Sequence, residues 1–164
     1  MEQTLIIFKP DAVQRGLVGE ILSRFEKVGL KLVALKMLTA TDEQLHGHYE
    51  GIGGLMTRKG ESIFNNTVSG MQGAPVIAGV LEGVEAVEQV RKMVGPTEPK
   101  SAAPGTIRGD YAHMSYSHSD KMQKGIPNLL HASADSDEAA KEIAHWFTGA
   151  ELQSYRTNHE KHTF

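Results

Sequence analysis

Seven polar residues look out of place in this chain: Lys9, Arg91, Thr97, Thr106, Arg108, Asn128 and His131. They fall at the ends of apolar runs or within one long loop, where a rigid scaffold commonly presents catalytic groups. His131 interrupts the apolar run Leu129-Leu130-His131-Ala132 and is followed by small residues that leave one side of its ring uncrowded. Glu142, in the helical stretch that follows, can fold back and hold one imidazole nitrogen, leaving the other a lone pair for attack. The plainer readings stand beside this one, since a lone strand histidine is more often a satisfied core residue and a helical glutamate is usually solvated.

Arg108 follows Pro104-Gly105-Thr106-Ile107, a turn whose glycine lets backbone N–H groups approach an anion while the guanidinium grips phosphate in a fork. A solvated loop arginine is an equally good reading, and in either case an irregular loop leaves this side chain little packing to lose. Arg91 lies near the end of a helix, where a cation interacts favourably with the helix dipole by about 0.3–1 kcal/mol. The other histidines lack metal-ligand spacing: His46 and His48 are two apart, and His113 and His118 are five apart in a loop, so no structural zinc is expected.

The elements that must position these groups follow from periodicity. Thr4 to Phe8 is apolar and β-branched without alternation, as in a strand buried on both faces, and Pro10 ends it with Lys9 at its tip. Val18, Ile21, Leu22, Phe25 and Val28 mark one face of a helix stopped by Gly29. A strand over 31–39 and a short helix from Thr41 to about Tyr49 come next. Gly51 to Gly60 reads as a flexible surface excursion, followed by a helix over 62–71. A buried strand spans 75–81 and a helix 84–94, ended by Gly95-Pro96. Gly95 to Pro127 carries four of the six prolines and no sustained period, and so long a stretch is usually functional or mobile. A strand over 128–132 and a helix over 136–147, with Asp135 and Glu138 at capping-box spacing, complete the order. This alternation fits either an α/β or an α+β sandwich.

The 164 residues suit one domain, 1–164, and a hydrophobic content of 40% with 23% charged residues is that of an ordinary soluble chain. A formal net charge of -3 gives no field for nucleic acid or anionic lipid, so any phosphate binding must be local. There is no cysteine, which removes thiolate chemistry and disulfides and fits a reducing cytoplasm. No signal peptide or membrane span is expected.

Three ordered blocks then carry a specific resemblance. Phe8-Lys9-Pro10-Asp11-Ala12-Val13-Gln14-Arg15-Gly16-Leu17-Val18-Gly19-Glu20-Ile21, Pro104-Gly105-Thr106-Ile107-Arg108-Gly109-Asp110-Tyr111 and Asn128-Leu129-Leu130-His131-Ala132-Ser133 together resemble the nucleoside diphosphate kinase family over nearly the whole chain. The resemblance implies an α+β ferredoxin-like βαββαβ sandwich with an antiparallel sheet and added helices. It implies a ping-pong transfer of the terminal phosphate of a nucleoside triphosphate, typically ATP, to a nucleoside diphosphate through phosphohistidine at His131. Glu142 and Ser133 would orient that ring, Lys9 and Asn128 would bind the ribose hydroxyl, and Lys9 would also lie near the transferred phosphate. Arg91, Thr97 and Arg108 correspond to phosphate contacts and Tyr49 to a neighbour of the transferring group. Mg²⁺ would travel on the nucleotide phosphates without a carboxylate cage. A homo-oligomer is implied, with the polar tail Arg156 to Phe164 docking on a partner subunit or fraying.

The chain departs from the common family form at two longer segments, near 51–61 and 111–127. The base-stacking phenylalanine falls at Ile63 or at Phe64, and Phe64 is the expected choice. Ala132 stands where many members have glycine. His118 lies in the second longer segment without a strand around it and is not expected to be the nucleophile.

Overall fold

Strand β1 (Glu2–Phe8) runs through the middle of the molecule, and its side chains explain the sequence pattern. Leu5 and Ile7 point to one face and Ile6 and Phe8 to the other, all four with no exposed surface. Both faces of this sheet are therefore covered. Each such side chain contributes roughly 1.5–3 kcal/mol by leaving water. The structure, a computed structural model, describes residues 1–162.

In chain order the elements are β1, α1 (Pro10–Gln14), α2 (Val18–Lys27), β2 (Lys31–Thr39), α3 (Asp42–His46), a π-helical turn (Gly47–Ile52), α4 (Leu55–Lys59) and α5 (Glu61–Ser69). Then follow β3 (Pro75–Gly83), α6 (Ala86–Val94), α7 (Ile107–Tyr111), α8 (Tyr116–Lys121), β4 (Leu130–Ala132) and α9 (Ser136–Trp146). The sheet order is β2-β3-β1-β4 and every pairing is antiparallel. This is the expected βαββαβ arrangement, and the α+β reading replaces the α/β alternative. On one face Ile21 and Phe25 of α2 and Val90 and Val94 of α6 pack against Ile6 and Phe8. On the other, Leu45, Phe64, Val68, Ile143 and Trp146 from α3, α5 and α9 pack against Leu5 and Ile7.

Three expectations need correction. The excursion at 51–60 is instead helical: the Glu50 carboxylate accepts the N–H groups of Met56 and Thr57 at 2.6 and 3.3 Å and so caps α4. The 95–127 stretch likewise holds short capped helices. Thr106 Oγ1 accepts from Gly109 N–H to start α7, and Ser115 Oγ accepts from His118 N–H to start α8. Thr106 thus acts as a helix cap. The second longer segment is pinned to α5, because Gly125 N–H donates to Asn66 O at 3.1 Å. A Cβ on Gly125 would lie 2.6 Å from that oxygen, so the approach requires glycine.

The third correction concerns the tail. Residues 163 and 164 lie outside the described residues, but the part before them docks on its own chain. Within the tail Glu160 meets Lys31 Nζ at 3.3 Å, and just ahead of it Gln153 N–H donates to Val33 O at 2.9 Å and the Tyr155 hydroxyl donates to Leu32 O at 2.7 Å. A register shift between Leu32 and Ala34 frees the Val33 carbonyl for this contact. The polar tail is therefore no sign by itself of a partner subunit.

Candidate active site

Strand pairing decides where His131 points. His131 lies opposite Ile7 in the β1–β4 ladder, and residues directly opposite share a face. Ile7 faces the layer that holds α9 and the π-helical turn, so the imidazole reaches that layer too. Ala132 turns its methyl group to the other face.

Glu142, on the buried side of α9, meets the ring. Its Oε1 lies 2.7 Å from His131 Nε2, a close contact off the ring N–H axis. Its Oε2 accepts from the Ser133 hydroxyl at 2.6 Å, and Ser133 Oγ in turn accepts from Leu5 N–H at 3.2 Å. Glu142 is 1% exposed, and burial raises its pKa above the ordinary carboxylate value. His131 Nδ1 has no hydrogen bond among the described residues. Burial, reinforced by Lys9, Arg108 and Arg91, holds His131 neutral, well below the usual histidine range.

Those cations converge from separate elements. Lys9 extends β1, and its Nζ donates to Asn128 Oδ1 at 2.8 Å. Burial above all, with Arg108 assisting, lowers the Lys9 pKa to about 8. The Asn128 amide donates onward to Thr97 O at 2.8 Å. Arg91, in the last turn of α6, approaches Ser133 O at 3.4 Å, while Thr97 is exposed in the loop beyond.

Arg108 differs from its expected setting. It sits in α7 rather than in a loose loop and is 7% exposed. Its Nε donates to Asn128 O at 3.1 Å and its Nη1 to Gly95 O at 2.8 Å, with Nη2 donating to Leu130 O. Three of the five guanidinium N–H groups thus hold backbone on both sides of the site, leaving two for an anion.

The backbone before His131 is strained. Leu129 has a φ of 70°, in the left-handed region that non-glycine residues enter at a cost of roughly 1–3 kcal/mol. Asp11 Oδ2 accepts Leu129 N–H at 3.0 Å and Lys9 N–H donates to Leu129 O at 2.9 Å, so both polar groups of the strained peptide are held from β1 and α1. The expected strand over 128–132 is shortened to Leu130–Ala132 for this reason.

Tyr49 and His48 close the pocket from the π-helical turn. The Tyr49 hydroxyl is buried without a hydrogen-bond partner among the described residues, and burial raises its pKa. Phe64 is packed in the core at 6% exposure, its ring in edge-to-face contact with the exposed His46. Ile63 beside it is 43% exposed, so of the two positions it is Ile63 that offers apolar surface to solvent and Phe64, the expected choice, that is packed away. His118 is exposed on α8 and makes no part of the constellation. Sequence reasoning missed Asp11, His48 and Trp146 as members of the site. Asp11 lies within the first of the three sequence blocks, whereas the other two become visible only once α9 packs on the π-helical turn.

Among the described residues one set of three potential metal ligands comes together, His48, His131 and Glu142. Two imidazoles and one carboxylate are a poor match for Mg²⁺, which prefers oxygen and water.

Comparison with known proteins agrees with this geometry. The family model described as nucleoside diphosphate kinase matches residues 2–152. A nucleoside diphosphate kinase of Pyrococcus furiosus is 46% identical, the alignment covering 94% of this chain and 88% of the relative. The solved transition-state mimic of the nucleoside-diphosphate kinase from Borrelia burgdorferi, with bound vanadate and ADP, superposes with a TM-score of 0.95 at 43% identity, covering 98% of this chain and 95% of that one. A halophilic nucleoside diphosphate kinase from Halobacterium salinarum in complex with CDP gives a TM-score of 0.84 at 38% identity, covering 99% and 98%. With the family model matched over residues 2–152 and relatives this similar over nearly its whole length, the chain belongs to the nucleoside diphosphate kinase family.

Proposed function

We propose that this chain moves the terminal phosphate of a nucleoside triphosphate to a nucleoside diphosphate, with His131 as the group that carries it. The observation that supports this most is the asymmetric imidazole: Nε2 lies 2.7 Å from a buried carboxylate while Nδ1 is unpartnered among the described residues. The Nδ1 lone pair attacks the terminal phosphorus, the bond from that phosphorus to the bridging oxygen breaks, and the diphosphate leaves. The proton stays on Nε2, where Glu142 offsets the positive charge that the phosphorylated ring acquires. A second diphosphate then attacks phosphohistidine by the reverse steps.

The remaining residues bind and neutralise. Lys9 and Asn128 hold the ribose hydroxyl, and Lys9 also lies near the transferred group. Arg91, Thr97 and the two free N–H groups of Arg108 contact phosphate, and the unpaired Tyr49 hydroxyl donates toward the transferring group. Ile63 supplies the apolar contact for the base. A Mg²⁺ ion carried on the nucleotide would supply further charge neutralisation. No described helix is long and apolar enough to cross a membrane, and the lack of cysteine supports a cytoplasmic setting. Met37 is 59% exposed and Leu35 44% exposed on edge strand β2, which supports a homo-oligomer.

The test is transfer of labelled terminal phosphate. Wild-type protein should form an acid-labile phosphoprotein with labelled ATP and pass the label to any added diphosphate, whereas His131→Gln should do neither. Labelling that survives His131→Gln, or label that goes only to water, would overturn the reading.

A further inference from the structure

The Glu142 carboxylate faces two imidazoles, that of His48 buried and that of His131 half-buried. Oε1 is 2.7 Å from His131 Nε2 and 3.5 Å from His48 Nδ1, and the two rings meet edge to face with centroids 4.5 Å apart. A carboxylate in that position can take its proton from either ring. If His48 carried its proton on Nδ1, it would compete for Oε1. His131 would then be free to move its own proton to Nδ1, which removes the lone pair that attacks phosphorus.

Trp146 prevents this. Its indole N–H donates to His48 Nδ1 at 3.2 Å within the core. An indole nitrogen is a donor only, so His48 Nδ1 must be the acceptor and its proton must sit on Nε2. His48 is 2% exposed, and burial together with His131 keeps it neutral, so a doubly protonated ring is no alternative. The groups facing it are the rings of Tyr49, His131 and Trp146 and the Glu142 carboxylate, with Lys9 and His145 farther out.

We infer that Trp146 and His48 are positioning residues that act as a tautomer lock, reserving Glu142 Oε1 for His131 Nε2 and so keeping the His131 Nδ1 lone pair available. The inference rests on the reading of His131 as the nucleophile. It deepens that reading by placing control of the nucleophile's tautomer in two residues that touch no substrate. The sign of the effect is unusual: with Trp146 gone, His48 changes from a passive neighbour into a competitor, so deleting His48 as well should help.

The experiment uses the full chain. Nitrogen-15 NMR of selectively labelled histidine should show His48 protonated at Nε2 in the wild type and at Nδ1 in Trp146→Phe. In phosphate-exchange kinetics Trp146→Phe should lower kcat up to about tenfold, the scale of one hydrogen bond, with KM for nucleotide unchanged. The double variant Trp146→Phe with His48→Leu should recover part of that loss. A merely structural role for Trp146 predicts the opposite, a double variant worse than the single. His48 protonated at Nδ1 in the wild type, or no recovery in a folded double variant, would overturn the inference. If a variant fails to fold, the wild-type tautomer decides alone. If the wild type moved no phosphate, the proposed function would fall while the His48 tautomer could still be read.

Discussion

Asn128 bridges two parts of the site at once, accepting from Lys9 Nζ at 2.8 Å and donating to Thr97 O at 2.8 Å. At 1% exposure it has no water to replace either partner. Asn128→Ala should therefore release Lys9 and the 95–98 backbone together, raising KM for nucleotide and costing roughly 1–3 kcal/mol of stability through the unpaired groups left behind. Unchanged KM and melting temperature would contradict this.

Lys9 sets the alkaline limb of activity. Its pKa in the folded protein is lowered to about 8, chiefly by burial. In the proposed role the protonated form binds phosphate, so kcat/KM should hold steady below that value and fall as pH rises through it. Bound nucleotide favours the ammonium, so the limb in kcat should lie at higher pH. Lys9→Arg should shift the limb upward while lowering the plateau. A wild-type kcat/KM profile that stays flat well past pH 8 would remove Lys9 from this role.

Arg108 should affect stability as well as rate. Its three bonds to backbone carbonyls tie Gly95, Asn128 and Leu130 together. An ammonium cannot reach all three, so Arg108→Lys should cost about 2–4 kcal/mol in denaturant unfolding. kcat/KM should fall roughly ten- to a thousandfold. A rate loss without destabilisation would mean that the backbone contacts contribute little.

Two neutral histidines make the fold acid-sensitive. The pKa of His48 lies well below 6.5 in the native state, and that of His131 is lowered likewise. The unfolded chain binds protons at these positions as pH falls below about 6.5 and the native state does not. Stability is therefore complete above that pH and is lost progressively beneath it. His48→Leu should flatten the dependence by up to about 1.4 kcal/mol per pH unit between about pH 6 and 5. Chemical denaturation at several pH values measures this directly, and parallel slopes for both proteins would refute it.

Neighbouring positions on α5 should respond differently. Phe64 is packed in the core and Ile63 is exposed. Phe64→Ala should cost about 3–5 kcal/mol of stability. Ile63→Ala should leave the melting temperature almost unmoved and raise KM for nucleotide. A reversal of these two outcomes would return the base contact to Phe64.

The contrast between Ile63 and Phe64 shows where the sequence becomes hard to read. Adjacent helical residues differ by about 100° around the axis, so placing one on the nucleotide side requires knowing which face of α5 is buried. The spacing of Phe64 and Val68 carried that signal, but the intervening polar residues obscured it. β1 was easier, because an apolar run that short and without alternation fits little besides a strand covered on both faces. The capped helices at 55–59, 107–111 and 116–121 left no trace because five or six residues do not complete two turns of a period. Lys9, Asn128, His131 and Glu142 were legible as types at strand ends and on a helix. Their contacts depended on the ladder that sets His131 opposite Ile7. The His48–Trp146 bond joins positions 98 apart and has no local signature.

The strained peptide at Leu129 has a consequence for the life of the chain on the ribosome. Its N–H is held by Asp11 and its carbonyl by the Lys9 N–H, groups made at the start of synthesis. Glu142, which holds the histidine ring, is made near the end. Lys9 and Arg108 likewise wait for Asn128 and Leu130, the late residues that hold them in place. The site is assembled only when β4 closes against β1.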